Sequence, residues 1–286
     1  MNHGDTQRTA YERFLALHRT DRAFVMPNAW DGASAALLAD AGFQALGSSS
    51  GAIAFGLGRL DGVRAVTREA AIANAAVLGA ASGLPVNGDL EDGFGGDPED
   101  CAATVEAAIA AGLAGLGIED TTADRANPIH GFDHAVRRVR AAALAASGRI
   151  VLTGRTDNFI QGRPDLEDTI RRLTAFADAG ADVLFAPGLP DLEAIRTVAA
   201  AVSPKPLNVM FGPSSGFASL DDLSDAGVRR VSLGGLLYVQ SMSTLRQTAE
   251  RLVAGDLAAA KPDGTGRRIV SLLTARNTPE GRSGPD

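Results

Sequence analysis

The stretch Asp178-Ala179-Gly180-Ala181 decides the fold, because its pattern recurs along the chain. In each copy, small residues lead to a glycine and a short apolar run follows it. A glycine just past a helix adopts the left-handed conformation that ends the helix, and the chain can then enter a strand. The recurrence therefore predicts repeated helix-to-strand units. The other copies are Ala39-Asp40-Ala41-Gly42, Ala110-Ala111-Gly112 and Asp225-Ala226-Gly227.

The spacing of these glycines predicts a barrel. Gly42, Gly112 and Gly180 lie 70 and 68 residues apart, which two βα units of about 35 residues would give. Eight short runs alternate with eight helical segments, and this predicts an α/β chain folded as a (β/α)8 TIM-type barrel. A doubly wound sheet is the alternative, but no Gly-rich dinucleotide motif follows the first strand. The predicted strands are residues 24–27, 45–48, 85–89, 115–119, 150–155, 182–186, 207–210 and 231–233.

The chain length suits one such domain. Barrels of this type commonly use about 250 residues. We therefore assign residues 1–255 of the 286 to a single barrel that includes an amphipathic N-terminal helix. Residues 256–286 then form a C-terminal extension and tail. The apolar stretch at 269–273 is interpreted as a helical element that packs on the barrel or is exchanged with a partner subunit.

Composition excludes several classes of protein. Apolar residues make up 45% and charged residues 21% of the chain, as in globular proteins. A net charge of −7 without a basic run argues against binding to nucleic acid. No apolar stretch approaches the ~18 residues of a membrane span, and the N-terminus lacks a secretory pattern, so we expect a cytoplasmic protein. The single cysteine, Cys101, excludes a disulfide framework and a multi-cysteine zinc site.

Acidic residues follow several predicted strands, at the barrel end where (β/α)8 enzymes place their chemistry. Asp89 and Glu91 come at the end of the third strand, and Glu119 ends the fourth. Converging carboxylates repel one another unless they are protonated or bind a cation, and oxygen ligands suit Mg²⁺ or Mn²⁺. The pattern predicts a divalent-metal site, although helix capping or pairing with Arg59 and Arg155 would also explain some of these residues.

Two other features bear on the substrate and the chemistry. The run Ser48-Ser49-Ser50-Gly51 would expose backbone N–H groups that can bind a carboxylate, unless it is an ordinary loop. Gly212 and Gly234 follow the last two strands, where many barrels bind phosphate, although they would equally permit close turns. Schiff-base chemistry is not expected, because neither of the two lysines, Lys205 and Lys261, is placed near the acidic residues.

Five segments, spread over about residues 26–237, together resemble one family. They are Asn28-Ala29-Trp30-Asp31, the serine-rich turn with Gly58 and Asp61, residues 85–95, Ile118-Glu119-Asp120 and Gly154-Arg155-Thr156-Asp157. They resemble the isocitrate lyase/phosphoenolpyruvate mutase superfamily. Within it the chain is most similar to a bacterial branch that carries the Asp-x-Glu motif found here at Asp89 and Glu91.

The resemblance implies roles for individual residues. Asp89, Glu91 and Glu119 would hold Mg²⁺, directly or through water. Arg155 would bind carboxylate and enolate oxygens of a small carboxylate substrate, and residues 49–51 would bind its carboxylate through backbone N–H groups. The full set of candidates is Arg155, Asp61, Glu119 and His130 for catalysis and Trp30, Ser49, Ser50, Gly51, Arg155, Asn208 and Gly234 for substrate binding.

One loop departs from the family pattern. Lyases for isocitrate and methylisocitrate carry a Lys-Lys-Cys-Gly-His loop after the fourth strand, and its cysteine takes part in proton transfer. Residues 121–130 of this chain contain neither cysteine nor lysine. The departure argues against isocitrate cleavage by that route and leaves His130 as the loop's candidate for proton transfer.

These features predict an Mg²⁺-dependent lyase that cleaves a carbon–carbon bond beside the carbonyl of a small α-keto or α-hydroxy acid, through an enolate. The closest models are lyases for methylisocitrate and dimethylmalate. Enolate chemistry also serves phosphoenolpyruvate mutase, phosphonopyruvate hydrolase, and decarboxylation or hydrolysis of oxaloacetate, and these stay open. A non-catalytic barrel that binds a carboxylate is a further alternative. The resemblance also implies a homodimer or homotetramer.

Overall fold

Strands and helices alternate along the chain. The computed structural model describes residues 3–62, 64–213, 215–216, 219–262 and 264–275. The strands are β1 (Phe24–Met26), β2 (Leu46–Gly47), β3 (Val86–Asp89), β4 (Gly115–Glu119), β5 (Val151–Arg155), β6 (Val183–Phe185), β7 (Leu207–Met210) and β8 (Val228–Ser232). The α-helices are α1 (His3–Leu17), α2 (Gly32–Asp40), α3 (Ser50–Gly56), α4 (Arg68–Ser82), α5 (Pro98–Ala110), α6 (Phe132–Ala146), α7 (Leu166–Ala179), α8 (Leu192–Val202), α9 (Leu220–Asp225), α10 (Leu236–Val253) and α11 (Gly266–Ala275), and a 3-10 helix, η1 (Leu257–Ala260), precedes the last one.

All the strands belong to one parallel sheet. Their order is β1-β8-β7-β6-β5-β4-β3-β2. The two outer strands meet where Asn28, two residues past β1, forms a parallel bridge with Gly47, the last residue of β2. The sheet is therefore a nearly closed barrel with helices outside it, and the predicted TIM-type fold is confirmed.

The glycines that predicted the repeat end helices as expected. Gly180 follows α7 with φ of 110°, and Gly227 follows α9 with φ of 94°. A Cβ at Gly180 would also lie 2.9 Å from the Cβ of Ala143, so both conformation and space require glycine there.

Two elements differ from the sequence-based expectation. The last strand, predicted at residues 231–233, begins three residues earlier at Val228. The charged pair Arg229-Arg230 interrupts the apolar run and so hid the start of the strand. The serine-rich turn, expected to be a loop, opens the short helix α3, because Ser49 accepts a hydrogen bond from the backbone N–H of Ala52 at 3.2 Å.

Two apolar clusters stabilise the barrel. The larger one fills the layer between the strands and the surrounding helices. The smaller one includes the fully buried ring of Phe14 from α1 together with Val151 and Val183, the first residues of β5 and β6. Phe14 therefore closes the end of the barrel that lies opposite the acidic residues.

The C-terminal helices are less buried than the rest. No residue of α10 is buried, and α11 packs against α2, where Arg268 binds Asp40 at 3.0 Å. Of the described helices, none has the length and apolar character needed to cross a membrane. The boundary at residue 255 stays a prediction, and residues 276–286 of the predicted tail lie outside the described residues.

Candidate active site

A cleft opens at the carboxyl ends of the strands. Its volume is about 440 Å³, and Asp61, Glu91, Glu119 and Arg155 line it. Asp89 lies next to them, in the wall of a narrower pocket that shares Glu119 and Arg155 with the cleft. The structure thus brings the predicted metal ligands and most of the predicted catalytic residues to one end of the barrel.

Arg155 lies at the centre of this cleft. Its Nη1 is 2.7 Å from Glu119 Oε1 and 3.8 Å from Asp89 Oδ1. Its Nε and Nη2 donate to the two carboxylate oxygens of Asp157 at 2.6 and 2.9 Å. Burial opposes the charge of this guanidinium, but the three carboxylates raise the pKa of Arg155 above its usual value. The ring of Phe185 covers the guanidinium at 5.1 Å. Arg155 is therefore a fixed cation at the barrel mouth.

A buried network holds the end of β5 in place. Asp120 accepts hydrogen bonds from Thr156 Oγ1 at 2.7 Å and from the backbone N–H of Asp157 at 3.0 Å. Arg172 of α7 lies 3.1 Å from the same carboxylate. Burial raises the pKa of Asp120 to about 6, so its charged form depends on these donors. Because the backbone of Asp157 is fixed, its carboxylate is already placed for the two hydrogen bonds with Arg155.

The serine-rich turn binds a carboxylate of this chain. The backbone N–H of Ser50, in the first turn of α3, donates to Asp89 Oδ2 at 2.8 Å. The backbone N–H of Asp89 in turn donates to Ser48 Oγ at 2.8 Å. One N–H of the turn thus binds a carboxylate, but this carboxylate is Asp89 and not a substrate, and substrate binding by residues 49–51 stays a prediction.

Two other carboxyl groups of the cleft lie in surroundings that disfavour their charge. Burial and the neighbouring Asp89 raise the pKa of Asp61. Burial, together with Asp89 and Asp92, raises the pKa of Glu91 to about 7. Gly51 permits this crowding, since a Cβ there would lie 2.7 Å from Asp61 Oδ2. The cleft therefore holds a surplus of negative charge.

This surplus fits the predicted metal. Asp89, Glu91 and Glu119 offer carboxylate oxygens, which Mg²⁺ and Mn²⁺ prefer, and a divalent cation favours the charged form of nearby carboxyl groups. Within the described ranges, no three acidic, histidine or cysteine side chains already converge in ligating geometry. The donor chemistry therefore fits a hard divalent ion, and the side chains would have to turn towards it.

Four predicted site residues, Trp30, Ser49, Gly51 and His130, do not line the cleft or the pocket beneath it. The His130 ring lies 4.9 Å from that of His134, and its buried Nε2 has no hydrogen-bond partner among the described residues. Burial and the nearby Arg138 lower the pKa of His130 to about 4. Trp30 packs edge-on against Tyr238 of α10, with ring centroids 5.4 Å apart. The proposed roles of His130 and Trp30 stay predictions that this geometry does not favour.

The narrower pocket, which we call the inner pocket, continues from the cleft into the barrel. It has a volume of about 60 Å³, and its polar lining includes Asp89, Glu119, Arg155, Thr153, Asn208 and Arg230. Two predicted substrate-binding residues, Asn208 and Gly234, line it. Sequence analysis did not single out Arg230 or Thr153. The available signal was a charged residue directly before the predicted last strand, where a charge is easily taken for the end of a loop.

The family model for phosphoenolpyruvate phosphomutase matches residues 14–253. The chain belongs to this family. A 2-methylisocitrate lyase from Escherichia coli (strain K12) is 29% identical to this family member over 256 residues, which cover 86% of this chain and 82% of the relative.

Solved structures agree with this assignment. A lyase/mutase-type protein from Burkholderia cenocepacia J2315 is 42% identical, with a TM-score of 0.89 over 93% of this chain and 96% of the other. Oxaloacetate acetylhydrolase in complex with oxalate is 27% identical, with a TM-score of 0.83 over 92% of this chain and 93% of the other. The predicted superfamily is confirmed, and the chain is an enzyme of that superfamily.

Proposed function

We propose that this phosphomutase-family enzyme is an Mg²⁺-dependent lyase that cleaves a carbon–carbon bond next to the carbonyl of a small α-keto or α-hydroxy acid. The observation that carries the proposal is the guanidinium of Arg155, held by Glu119 and Asp157 beside a surplus of carboxylates. A fixed cation beside a site suited to a divalent ion fits a reaction in which a substrate oxygen gains negative charge. The similarity to a 2-methylisocitrate lyase supports this class of reaction.

Arg155 would stabilise the enolate directly. Three of its five N–H groups are directed at Asp157 and Glu119, which leaves two for a substrate oxygen. Asp89, Glu91 and Glu119 would hold the metal ion, directly or through water. The bound ion would supply Lewis-acid stabilisation of the same developing charge.

The backbone N–H of Ser50 would bind the substrate's carboxylate. At present it donates to Asp89 at 2.8 Å. If Asp89 turns to the metal, the substrate's carboxylate replaces it on this N–H group. Because the N–H is satisfied in both states, the exchange leaves no buried donor without a partner.

Asp61 is the candidate for proton transfer. It lines the cleft, and burial together with Asp89 raises its pKa. A carboxyl group whose pKa lies closer to neutrality is a better proton donor at physiological pH. Ser50 Oγ lies 3.3 Å from Asp61 Oδ1 and orients it. Asp61 would therefore deliver the proton that the enolate needs after the bond has broken.

The test is a panel of 2-methylisocitrate, 2,3-dimethylmalate, oxaloacetate and phosphonopyruvate, each with and without Mg²⁺. We expect metal-dependent release of pyruvate from one of the first two compounds. Release of phosphate from phosphonopyruvate alone would contradict the lyase and identify P–C chemistry. If none turns over and oxalate shows no metal-dependent binding by calorimetry, the result contradicts this proposal and favours the alternative of a barrel that only binds a carboxylate.

Hydrolysis of oxaloacetate is the second candidate function. The loop at residues 121–130 lacks the cysteine of the isocitrate-type lyases, and the chain is similar to oxaloacetate acetylhydrolase over most of its length. In the same panel this activity would release oxalate and acetate from oxaloacetate. Release of pyruvate and carbon dioxide would indicate decarboxylation instead.

We further propose that the enzyme is a homodimer or homotetramer in which the C-terminal extension contributes to the contact between subunits. Apolar side chains are exposed in this extension, at Leu257 and at Val270 of α11, and also on the neighbouring α10, none of whose residues is buried. Light scattering should give a smaller oligomer for a chain that ends at Gly255 than for the full chain. An unchanged subunit number would reject the role of residues 256–286.

A further inference from the structure

Arg230 is a buried arginine inside the barrel. It projects from β8, is 1% exposed, and donates to Asn208 Oδ1 and Thr153 Oγ1 at 3.0 Å each. Its Nη1 lies 3.3 Å from Nε2 of His18. Burial and the charge of Arg230 lower the pKa of His18 to about 3, so that ring is neutral. The interior of such barrels is usually filled by branched apolar side chains, which makes a charged residue here unusual.

The charge of Arg230 has no counter-ion in the described part of the chain. Burial lowers the pKa of Arg230 to about 9, and no acidic neighbour opposes that change. The three hydrogen-bonding partners are all neutral, and they use only three of the five N–H groups of a guanidinium. A buried charge without a partner of opposite sign is costly, by several kcal/mol in typical proteins. Arg230 is therefore suited to bind an anion.

The inner pocket lies against this guanidinium. Its volume of about 60 Å³ would hold about four waters, or a carboxylate with one or two carbons. Gly117 of β4 helps to keep it open, since a Cβ there would meet nothing within 4 Å. Asn87 also lines the pocket, and its buried Oδ1 has no partner among the described residues. Oδ1 is an acceptor, so it would take a hydrogen bond from a water molecule or a ligand hydroxyl and does not itself bind the anion.

The inner pocket is also continuous with the proposed reaction site. Glu119 and Arg155 line both the cleft and the inner pocket. Arg155 is already paired with carboxylates of the chain, whereas Arg230 is not. An elongated anion with one end at Arg155 would therefore find its second positive partner deeper in the barrel.

We propose that the inner pocket is an anion subsite in which Arg230 binds the far carboxylate of a dicarboxylic α-keto acid. Thr153 and Asn208 orient the guanidinium. The inference rests on the proposed function, because the α-keto acid end of the ligand lies at Arg155 in the cleft. It makes a statement that the proposed function does not, since a lyase of this class could act on substrates without a second carboxylate.

The test compares two ligands that differ only at the far end. In 2-oxopentanoate a methyl group replaces the far carboxylate of 2-oxoglutarate. Calorimetry on the full chain with Mg²⁺ should show that 2-oxoglutarate binds at least tenfold more tightly. Equal affinities would overturn the inference and leave the α-keto acid proposal intact. If neither compound binds, the subsite inference is wrong, and the lyase proposal is decided by the substrate panel.

A matched pair of variants locates the effect. Arg230→Met removes the charge inside the barrel, and Arg125→Met removes an exposed charge at the rim of the cleft. We expect the preference for 2-oxoglutarate to disappear in the first variant and to persist in the second. A preference that survives Arg230→Met, or that is lost in Arg125→Met, contradicts the inference.

The Arg230→Met variant could fail to fold, so a second variant and a crystal structure of the complex test the subsite independently. Thr153→Val keeps both the charge and the shape but removes the hydroxyl that orients the guanidinium, so it should reduce the preference without changing the affinity for 2-oxopentanoate. In a crystal of the full chain with Mg²⁺ and 2-oxoglutarate, the far carboxylate should lie within hydrogen-bond distance of Arg230. A carboxylate that points outwards to the rim would reject the subsite.

Discussion

Arg155 and Arg230 both project into the barrel, one at its mouth and one deeper inside, and their surroundings differ. Arg155 lies among the carboxylates of Glu119, Asp157 and Asp89, which raise its pKa. Arg230 lies among neutral groups, and burial lowers its pKa to about 9. Two residues of the same type in one barrel thus have opposite electrostatic environments.

The difference indicates two different uses of a buried cation. A guanidinium held by several carboxylates has little freedom to move. It is therefore preorganised to stabilise a negative charge that develops on the substrate. A guanidinium among neutral partners has charge and N–H groups left for a ligand. The mouth is therefore suited to stabilise a transition state, and the interior is suited to recognise a group that the substrate already carries.

The largest expected effect is on stability and comes from Phe14, which closes the end of the barrel opposite the acidic residues. Phe14 is 0% exposed, and its ring lies 5.9 Å from the Arg230 guanidinium. Phe14→Ala would leave a cavity and admit water beneath Arg230, so we expect a loss of about 3–5 kcal/mol in the free energy of unfolding. Urea denaturation followed by circular dichroism measures it.

A surface phenylalanine provides the control for this change. Phe55 on α3 is 44% exposed, so Phe55→Ala should cost much less, by about 1 kcal/mol or below. Equal losses for Phe14→Ala and Phe55→Ala would mean that Phe14 does not seal the barrel.

Substitution of Arg155, at the mouth of the barrel, should reduce the rate of catalysis. Arg155→Lys keeps a positive charge but cannot form the paired hydrogen bonds that Asp157 accepts at 2.6 and 2.9 Å. We expect kcat to fall by about 10²–10³, as for other enzymes that lose one donor to a developing oxyanion. Steady-state kinetics on the substrate that the panel identifies would show it. Retained turnover in a folded Arg155→Lys variant would place the reaction elsewhere.

The positions of the acidic residues could be predicted because they follow from topology. Asp89 and Glu119 end neighbouring strands, and the carboxyl ends of parallel strands meet at one end of a barrel. The glycines that end helices also placed most predicted strands within one or two residues of the observed strands. Side-chain direction within a loop does not follow from such a pattern, and the His130 ring accordingly packs on His134 instead of lining the cleft.

The inner pocket could not be predicted from local pattern, because its residues come from separate strands. Thr153, Asn208 and Arg230 are far apart in sequence, and only the sheet register brings them together. Strands were predicted from runs of apolar residues, and the charge of Arg230 interrupts such a run, so the residue was placed outside the last strand. The serine-rich turn shows a related limit, because its anion is a side chain of the same protein and not a ligand.

The smallest effect concerns pH and again involves the interior. In the folded protein the pKa of His18 is lowered to about 3 by burial and by the charge of Arg230, while its Nδ1 lies 2.9 Å from the carbonyl oxygen of Phe14. The unfolded chain binds a proton at His18 below about pH 6.5, and the folded chain does not. The contribution of His18 to the free energy of unfolding is therefore complete above pH 6.5 and is lost as the pH falls towards 3, by about 2 kcal/mol at pH 5.

His18→Gln should flatten the dependence of Tm on pH between pH 7.5 and pH 5, whereas Phe55→Ala should keep the pH dependence of the natural chain. If His18→Gln shows that same slope, His18 is protonated in the folded state, and the interior around Arg230 is less positive than its neutral partners imply.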